Sequence, residues 1–251
     1  VPGVMVFVIV MAINLAGDGL RDALDPASDT KRLNRMLRKG RLGDFPIGTQ
    51  HDAGQFAETV LQKASKGYGG AVEAAFGTSI ETVTTCMKCE HEVRRTETEK
   101  VKKDEIEAPD LAWHVSVPTT GRQSVSKLLR GYERPYSLDE AYRCDGCGER
   151  GCCTQKRVIS EYPEVLFVTM KFLTRSMDPR DGRYGEKIQR HIRLLEQIQR
   201  GSSIYELRSV VVHIGKYINF GHYYAYCKGR DGEWRKFDDA LEPEICSWAD
   251  V

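Results

Sequence analysis

The stretch Gly221-His222-Tyr223-Tyr224-Ala225-Tyr226, followed by Trp234-Arg235-Lys236-Phe237-Asp238-Asp239, is the most informative part of this chain. Between the two lies Gly229-Arg230-Asp231-Gly232, whose composition is typical of the turn in a β-hairpin. Such a hairpin brings His222, at the start of one strand, close to Asp238, just past the end of the other. A carboxylate beside an imidazole fixes its tautomer and stabilises the imidazolium, which a base needs when it activates a nucleophile. The same residues would also suit an edge hairpin with a surface histidine and a solvated acidic end.

The register of the hairpin sets how closely the imidazole and the carboxylate approach each other. Pairing of Lys228 with Glu233 would place Tyr223 opposite Asp238, although the register could slip by one residue. Asp239 is the next candidate, either for a second hydrogen bond to the imidazole or to polarise a water molecule. It could equally be an exposed acid.

The cysteines predict a metal site. The chain has eight cysteines, and four of them form two C-x-x-C pairs: Cys86, Cys89, Cys144 and Cys147. Zinc takes four tetrahedral ligands, and each C-x-x-C turn offers two thiolates, so the pattern predicts one closed, structural zinc site. Cys152 and Cys153 could compete as ligands, and one of them could replace Cys147. Metal binding favours a reducing compartment, cytoplasmic or nuclear, over the disulfide framework of a secreted protein.

Helices are predicted in three places. Thr30 to Lys39 reads as a short, basic, amphipathic helix, and Ser124 to Tyr132 as another. A third helix begins after Thr49, which has capping-box spacing with Asp52. Gly67 to Gly77 is rich in small residues and is predicted to be a linker.

Strands dominate the second half of the sequence. The candidates are Arg157–Ser160, Val165–Phe172, Leu207–Ile214, Tyr223–Lys228 and Trp234–Phe237. The unbroken apolar run Val210-Val211-Val212 indicates a central strand covered on both faces, and His213 beside it is predicted to be a core histidine.

Composition limits the classes of function. The chain is long enough to bury a sizeable core, and its net charge of +1 predicts no general affinity for nucleic acid. The basic helix from Thr30 to Lys39 is better explained as a solvated face, because no aromatic residues alternate with its charges. Val1 to Gly17 is strongly apolar but shorter than the roughly 20 residues of a membrane-spanning helix, so we expect a buried helix and no membrane association. The first residue is Val rather than Met, which suggests a fragment or a processed chain, and we expect a monomer.

Five motifs, in this order, resemble those of the ubiquitin-specific protease family, the papain-like deubiquitinating cysteine proteases. Gln50-His51-Asp52-Ala53-Gly54-Gln55-Phe56 resembles the family's Gln-Gln-Asp-Ala-His-Glu-Phe box, and the two C-x-x-C pairs resemble its zinc knuckles. Val165 to Phe172 resembles its Leu-Lys-Arg-Phe strand, with Phe172 where the arginine would be. Tyr205 to His213 then leads into the Gly-His-Tyr box. The resemblance runs from about Gln50 to the C-terminus.

The resemblance implies a single α+β domain over residues 1–251 with a papain-like fold. Residues 1–75 would form a helical lobe or thumb, residues 76–160 a zinc-ribbon fingers region, and residues 161–251 a β-sheet palm. It also implies that the fold acts on ubiquitin or ubiquitinated proteins, by thiol-dependent hydrolysis after the C-terminal glycine of ubiquitin. His222 would be the base and Asp238 its orienter, with Asp239 as a further catalytic candidate. The residues implied to contact ubiquitin are Gln50, Asp52, Gly221 and Tyr223.

The family's nucleophile is missing from its expected place. In the family it lies in an Asn-x-Gly-Asn-Thr-Cys box, which should fall near Met5 here. The residues there are Gly3-Val4-Met5-Val6, and no cysteine precedes Cys86. We therefore expect the chain as given to be inactive, as a truncated or degenerate deubiquitinase domain. The alternatives are a ubiquitin-binding pseudoprotease or scaffold, and a zinc-ribbon protein that binds nucleic acid, which would leave the Gly-His-Tyr box unexplained.

Overall fold

The computed structural model describes residues 52–68, 70–96, 111–172, 188, 190–217, 220–229, 231–239 and 241–251. The helices are α1 (Ala53–Tyr68), α2 (Gly70–Phe76) and α3 (Val125–Tyr132), with a 3-10 turn at Trp248–Asp250. The strands are β1 (Ser79–Cys86), β2 (Glu92–Thr96), β3 (Trp113–Ser116), β4 (Gln123–Ser124), β5 (Tyr136–Ser137), β6 (Cys153–Glu161), β7 (Val168–Lys171), β8 (Ile192–Arg193), β9 (Gln197–Arg200), β10 (Ser203–Glu206), β11 (Ser209–Tyr217), β12 (Phe220–Lys228), β13 (Trp234–Phe237) and β14 (Glu244–Cys246). The predicted segments 1–17 and 30–39 lie outside the described residues.

The N-terminal cap of α1 is Asp52. The backbone N–H of Gln55 donates to the Asp52 Oδ1 atom at 2.9 Å, which satisfies one of the unpaired donors of the first helical turn. Thr49, the cap suggested by the sequence, lies outside the described residues. The carboxylate that the family resemblance assigns to ubiquitin binding is therefore also fixed by its own helix.

The prediction of a linker from Gly67 to Gly77 is wrong, because residues 70–76 form the helix α2. Three alanines in this segment are strong helix formers, and Phe76 at its end is buried in the core. The Gly77 N–H donates to the Glu73 carbonyl at 2.7 Å, which closes the last turn. Small residues alone did not distinguish a linker from an alanine-rich helix.

The prediction for α3 is confirmed. Ser124 caps the helix by accepting a hydrogen bond from the Lys127 N–H at 3.3 Å, and Val125, Leu128 and Leu129 are buried. These apolar positions form one face of the helix, which packs into the main core beside β3.

The strands β2, β1, β6 and β5 form a four-stranded sheet in that order, which we call the fingers after the region predicted from the sequence. The long antiparallel ladder between β1 and β6 ends with Cys86 opposite Cys153, so both strands carry cysteines to one tip of the sheet. The predicted strand Arg157–Ser160 covers only part of β6, which begins earlier, at Cys153.

The strands β11, β12, β13 and β14 form an antiparallel sheet in that order, which we call the palm after the region predicted from the sequence. Within the described ranges β11 is an outer strand, so the expectation of a central strand is wrong. Val210 and Val212 are buried on one face and Val211 is half-buried on the other, which is why an outer strand carries an unbroken apolar run. His213 is 1% exposed, which confirms it as a core residue.

The main core lies between α1, α3, the palm sheet and the parallel pair β3–β7. Trp113 and Phe167 are each 1% exposed, and the indole N–H of Trp113 donates to the Thr78 hydroxyl at 2.9 Å. Among the described helices, none has the length and apolar character that crossing a membrane requires.

Candidate active site

His222 and Asp238 meet at the end of the palm sheet. Lys228 pairs with Trp234 rather than Glu233, because the Gly229 N–H bonds to the Glu233 carbonyl at 2.8 Å and takes Glu233 into the turn. The ladder is thus shifted by one residue from the register predicted from the sequence. The His222 Nε2 atom still lies 2.5 Å from the Asp238 Oδ1 atom, which confirms the predicted proximity. A proton on Nε2 is donated to this carboxylate, and the Nδ1 lone pair is then left as the basic position.

Lys236 shares the same carboxylate, and the sequence analysis missed it. Its Nζ atom donates to the Asp238 Oδ2 atom at 2.9 Å and lies 4.7 Å from the centre of the Tyr224 ring. Lys236, and after it His222, hold the pKa of the Asp238 carboxyl below its usual range. Strand alternation was the signal that could have found Lys236, because it stands two residues before Asp238 and so shares its face.

Asp239 is not hydrogen-bonded to the imidazole in this structure. Its Oδ2 atom lies 3.9 Å from His222 Nδ1, which is too long for a hydrogen bond, and its side chain is 78% exposed. Its backbone has a φ of 50°, in the left-handed region that few side chains favour. The tight turn after β13 therefore directs Asp239 towards solvent.

Gly221 lies opposite a bulge in the neighbouring strand. The β11–β12 register shifts between Ile214 and Tyr217, and a Cβ atom on Gly221 would overlap the Ile214 carbonyl oxygen and the His213 Nε2 atom. Glycine is thus required by packing within the sheet. This gives Gly221 a structural role whether or not a ligand also passes beside it.

Tyr223 joins the palm to the helical lobe. It points away from the face of His222, and its ring lies 4.5 Å from the ring of His213. Burial, together with the nearby Asp52 carboxylate, raises the pKa of Tyr223 to about 12, whereas the interaction with the Ala53 backbone lowers this pKa. The structure thus brings Tyr223 and Asp52 together at the first turn of α1. Gln50 and Met5 lie outside the described residues.

The four cysteines of the C-x-x-C pairs converge at the tip of the fingers. Their sulfur atoms all lie within 4.8 Å of one another, with Cys86 Sγ 3.8 Å from Cys147 Sγ and Cys89 Sγ 3.7 Å from Cys144 Sγ. A tetrahedron with metal–sulfur bonds of about 2.3 Å has edges of about 3.8 Å, so the residues fit a four-coordinate thiophilic metal. The cluster can therefore bind a metal ion.

Backbone N–H groups of the knuckles point at the sulfur atoms. The Lys88 N–H lies 3.4 Å from Cys86 Sγ, and the Gly146 N–H lies 3.3 Å from Cys144 Sγ. The N–H groups of Cys89 and Lys88 lower the pKa of the Cys86 thiol to about 5. A thiolate is the form that binds a metal, so this local geometry prepares Cys86 for that role.

A comparison with known protein families identifies the family to which the chain belongs. The family model described as ubiquitin carboxyl-terminal hydrolase matches residues 19–247, which is most of the chain. The chain belongs to the ubiquitin carboxyl-terminal hydrolase family. The resemblance to ubiquitin-specific proteases found in the sequence is confirmed, and the match begins after the position near Met5 where the family's nucleophile was expected.

Curated relatives carry the same family name. The probable ubiquitin carboxyl-terminal hydrolase creB of Aspergillus clavatus is 28% identical over 207 residues, which cover 74% of this chain and 24% of that protein. The probable ubiquitin carboxyl-terminal hydrolase 16 of Schizosaccharomyces pombe is 33% identical over 106 residues, covering 39% of this chain and 22% of that protein. The chain thus spans about a quarter of the length of these hydrolases.

Solved structures of the family have the same fold. The SAGA Ubp8/Sgf11/Sus1/Sgf73 DUB module bound to ubiquitin aldehyde matches with a TM-score of 0.64 and 20% identity, over 81% of this chain and 47% of that chain. A yeast SAGA DUB module with a mutant Sgf73 matches over 90% of this chain and 48% of that chain, with a TM-score of 0.60 and 20% identity. The α+β, papain-like fold expected from the sequence is therefore confirmed.

Proposed function

We propose that this chain is a ubiquitin-specific protease-type deubiquitinase domain that binds ubiquitin and, as given, lacks the thiol needed for hydrolysis. The observation that carries the proposal is the contact of 2.5 Å between His222 Nε2 and Asp238 Oδ1 at the end of the palm sheet. In a member with a nucleophile, Nδ1 of His222 would take the thiol proton and return it to the leaving amine. Asp238 would hold the ring and stabilise the imidazolium, and Lys236 would fix the second carboxylate oxygen.

The positions of the cysteines support inactivity. All eight lie in the described residues, and six of them, Cys86, Cys89, Cys144, Cys147, Cys152 and Cys153, belong to the tip of the fingers. Cys227 is five residues from His222 along β12, a distance of roughly 17 Å, and faces the opposite side of the sheet. Cys246 pairs with Trp234 and thus lies about six residues, or roughly 20 Å, along the sheet from His222. No described thiol is within reach of the imidazole.

Hydrolysis of a fluorogenic amide of ubiquitin tests this proposal. We expect the chain as given to show no turnover and to escape a thiol-directed ubiquitin probe. Met5→Cys should give little rescue, because the asparagine of the family's nucleophile box is also absent and loss of one oxyanion donor typically costs on the order of 10²–10³ in rate. Robust hydrolysis by the unmodified chain, abolished by His222→Ala, would overturn the proposal and require a nucleophile among the remaining cysteines.

Ubiquitin binding is proposed to use the first turn of α1 and the adjacent palm strand. Asp52 is fixed there by the Gln55 N–H, and its charge acts on Tyr223, the residue next to His222, so a carboxylate with a defined position lies where the helix approaches the palm strand. The family resemblance assigns this aspartate to the arginine-rich tail of ubiquitin.

The test of this binding site introduces an arginine at the N-cap of α1, where it changes the charge by two units, and at an exposed position within α1, where it changes the charge by one. Asp52→Arg should weaken ubiquitin binding in calorimetry, whereas Gln62→Arg, at an exposed position of α1, should leave it unchanged. Equal affinities for wild type and Asp52→Arg would contradict the assignment of Asp52.

The cysteine cluster is proposed to hold one structural zinc ion through Cys86, Cys89, Cys144 and Cys147. The ion would cross-link two knuckles that are far apart in sequence, and it would use all four coordination positions, so that no substrate site remains. The sulfur–sulfur distances support this ligand set.

A ubiquitin-binding pseudoprotease or scaffold is the second candidate, and the lack of a thiol near His222 favours it. Both candidates share the fold, the ubiquitin site and the metal site, and we propose that both would be monomeric. The transcript sequence that encodes the residues around and before Met5 separates them. A cysteine box in an alternative reading of that region would restore the enzyme, and its absence from the transcript would support the scaffold.

A further inference from the structure

Cys152 is a fifth thiol that touches the metal-binding cluster without belonging to its tetrahedron. Its sulfur lies 3.4 Å from Cys86 Sγ, closer than the 3.8 Å between Cys86 and Cys147. The four sulfurs that lie within 4.8 Å of one another include Cys86 but not Cys152, which instead groups with Cys86 and Cys153. One ligand sulfur is therefore in van der Waals contact with a sulfur that the metal does not require.

The backbone holds this contact in place. Cys86 and Cys153 are opposite each other in the β1–β6 ladder, and the Met87 N–H donates to the Cys152 carbonyl at 2.7 Å. The backbone segments that carry Cys86 and Cys152 are thus fixed relative to each other on both sides of the sulfur pair. A disulfide bond has a length of about 2.05 Å, so the sulfurs need to approach by about 1.4 Å, a distance within the range of a side-chain rotation.

Exposure makes Cys152 the thiol that an oxidant meets first. Cys86 is 1% exposed, and Cys153 is buried as well, whereas Cys152 is half-exposed. The two exposed cysteines of the knuckles, Cys89 and Cys147, would be occupied by the metal. Burial, and after it the contact with Cys86, raises the pKa of the Cys152 thiol to about 12, so the case for oxidation at Cys152 rests on its geometry: it is partly accessible, outside the tetrahedron and in contact with a second sulfur.

We propose that Cys152 is an oxidation site that forms a disulfide with Cys86 and thereby releases the zinc ion; this inference rests on the zinc site proposed above. A peroxide is the oxidant. Cys152 attacks one peroxide oxygen, the O–O bond breaks, and a sulfenic acid and water (or hydroxide) are formed. The Cys86 thiolate, which would then no longer serve as a ligand, attacks the sulfenic sulfur: the S–S bond forms, the S–O bond breaks, and the oxygen leaves as hydroxide, which takes a proton from the solvent to become water. The two thiols lose two electrons in total and the peroxide gains two. Only three cysteines would remain to hold the metal, and the site would no longer be closed.

Zinc release from the full, zinc-loaded chain under hydrogen peroxide measures the effect, with a chromogenic chelator as the reporter. Cys152→Ser should bind the same amount of zinc as wild type and release it several-fold more slowly. Cys246→Ser, which removes a half-buried thiol on the palm, is the matched control and should release zinc at the wild-type rate.

Peptide mass spectrometry identifies the disulfide independently of the metal. Cleavage by trypsin after Lys88 and Arg150 separates Cys86 from Cys89, and Cys152 from the second knuckle. The peroxide-treated chain should give a cross-link between the peptides ending at Lys88 and beginning at Gly151, with Cys152 as the linked residue on fragmentation.

Four results would overturn the inference. Equal release rates for wild type and Cys152→Ser would show that Cys152 has no role. A disulfide between Cys89 and Cys144, or between Cys152 and Cys153, would assign the oxidation elsewhere. Loss of zinc from unoxidised Cys152→Ser would make Cys152 a ligand. A wild-type chain purified without zinc would overturn the zinc site and this inference together, whereas the other three results leave a bound zinc in place.

Discussion

Substitution of Gly221 by alanine tests whether the palm sheet is packed as described next to the base. The added methyl group would overlap the Ile214 carbonyl oxygen and the His213 Nε2 atom. The carbonyl belongs to the partner strand, and His213 is 1% exposed, so neither can move without disturbing the sheet or the core. Gly221→Ala must therefore either separate β11 from β12 or displace His213.

The size of the effect follows from known costs of overpacking. Extra methyl groups in a packed interior cost about 1–3 kcal/mol, and two fixed neighbours place Gly221→Ala in the upper half of that range. For a domain of this size, each kcal/mol lowers the melting temperature by about 2–4 °C. We therefore expect the melting temperature of Gly221→Ala to fall by roughly 5–10 °C.

Thermal unfolding followed by far-UV circular dichroism measures this shift, and Gly131→Ala provides the control. Gly131 lies in α3 and nothing is within 4 Å of the position that its Cβ would take. The same substitution there should raise stability by about 0.5–1 kcal/mol, because alanine favours the helix. A melting temperature of Gly221→Ala at or above that of wild type would refute the packing argument. Unchanged stability with lost ubiquitin binding would instead show that the missing side chain serves a ligand channel.

The remaining predictions concern the metal, a titrating carboxylate and a helix cap. Metal analysis of purified protein should find close to one zinc ion per chain, and Cys144→Ser should lose it; a folded, zinc-free wild type that binds ubiquitin normally would count against the site. The pKa of Asp238 is lowered by Lys236 and then by His222, so its stabilising contacts are present above the unfolded-state pKa and are lost as the pH falls through the folded-state pKa. The stability difference between wild type and Asp238→Asn in urea titrations should thus shrink as the pH falls below about pH 4, and a difference unchanged down to pH 2 would contradict the described contacts. Asp52→Ala should lower the free energy of unfolding by about 1 kcal/mol through loss of the α1 cap, and Asp52→Asn, which can still cap, should recover most of it.

The sequence predicted the structure correctly where several local signals agreed. The Gly-Arg-Asp-Gly turn predicted the hairpin, and the bounds of β13 match the predicted Trp234–Phe237. His222 and Asp238 lie close together despite the one-residue shift in the strand register. Both residues are at the end of the sheet, where their side chains extend beyond the residues directly opposite them. The cysteine cluster followed from spacing alone, since each C-x-x-C turn is a self-contained unit.

Most of the features that the sequence did not reveal depend on contacts between segments that are far apart along the chain, and Lys236 is the exception. The bulge in β11 opposite Gly221 is a matter of register, and no local pattern marks it. Lys236 looks like any exposed strand lysine until Asp238 is placed beside it. The contact of Cys152 with Cys86 depends on how two strands end together, which spacing along the chain does not encode. The outer position of β11 was missed because an apolar run records burial and not strand order.

Because side chains alternate along β12, this strand contacts Asp238 on one face of the sheet and the first turn of α1 on the other. His222 contacts Asp238 on one face, and the next residue, Tyr223, packs on the other face against His213 and the first turn of α1. Consecutive Cα atoms are only about 3.8 Å apart and are joined by a planar peptide unit, so a shift of the backbone at one of the two residues also shifts the other. A shift of the first turn of α1 that displaced the backbone at Tyr223 would therefore also displace the backbone that carries His222.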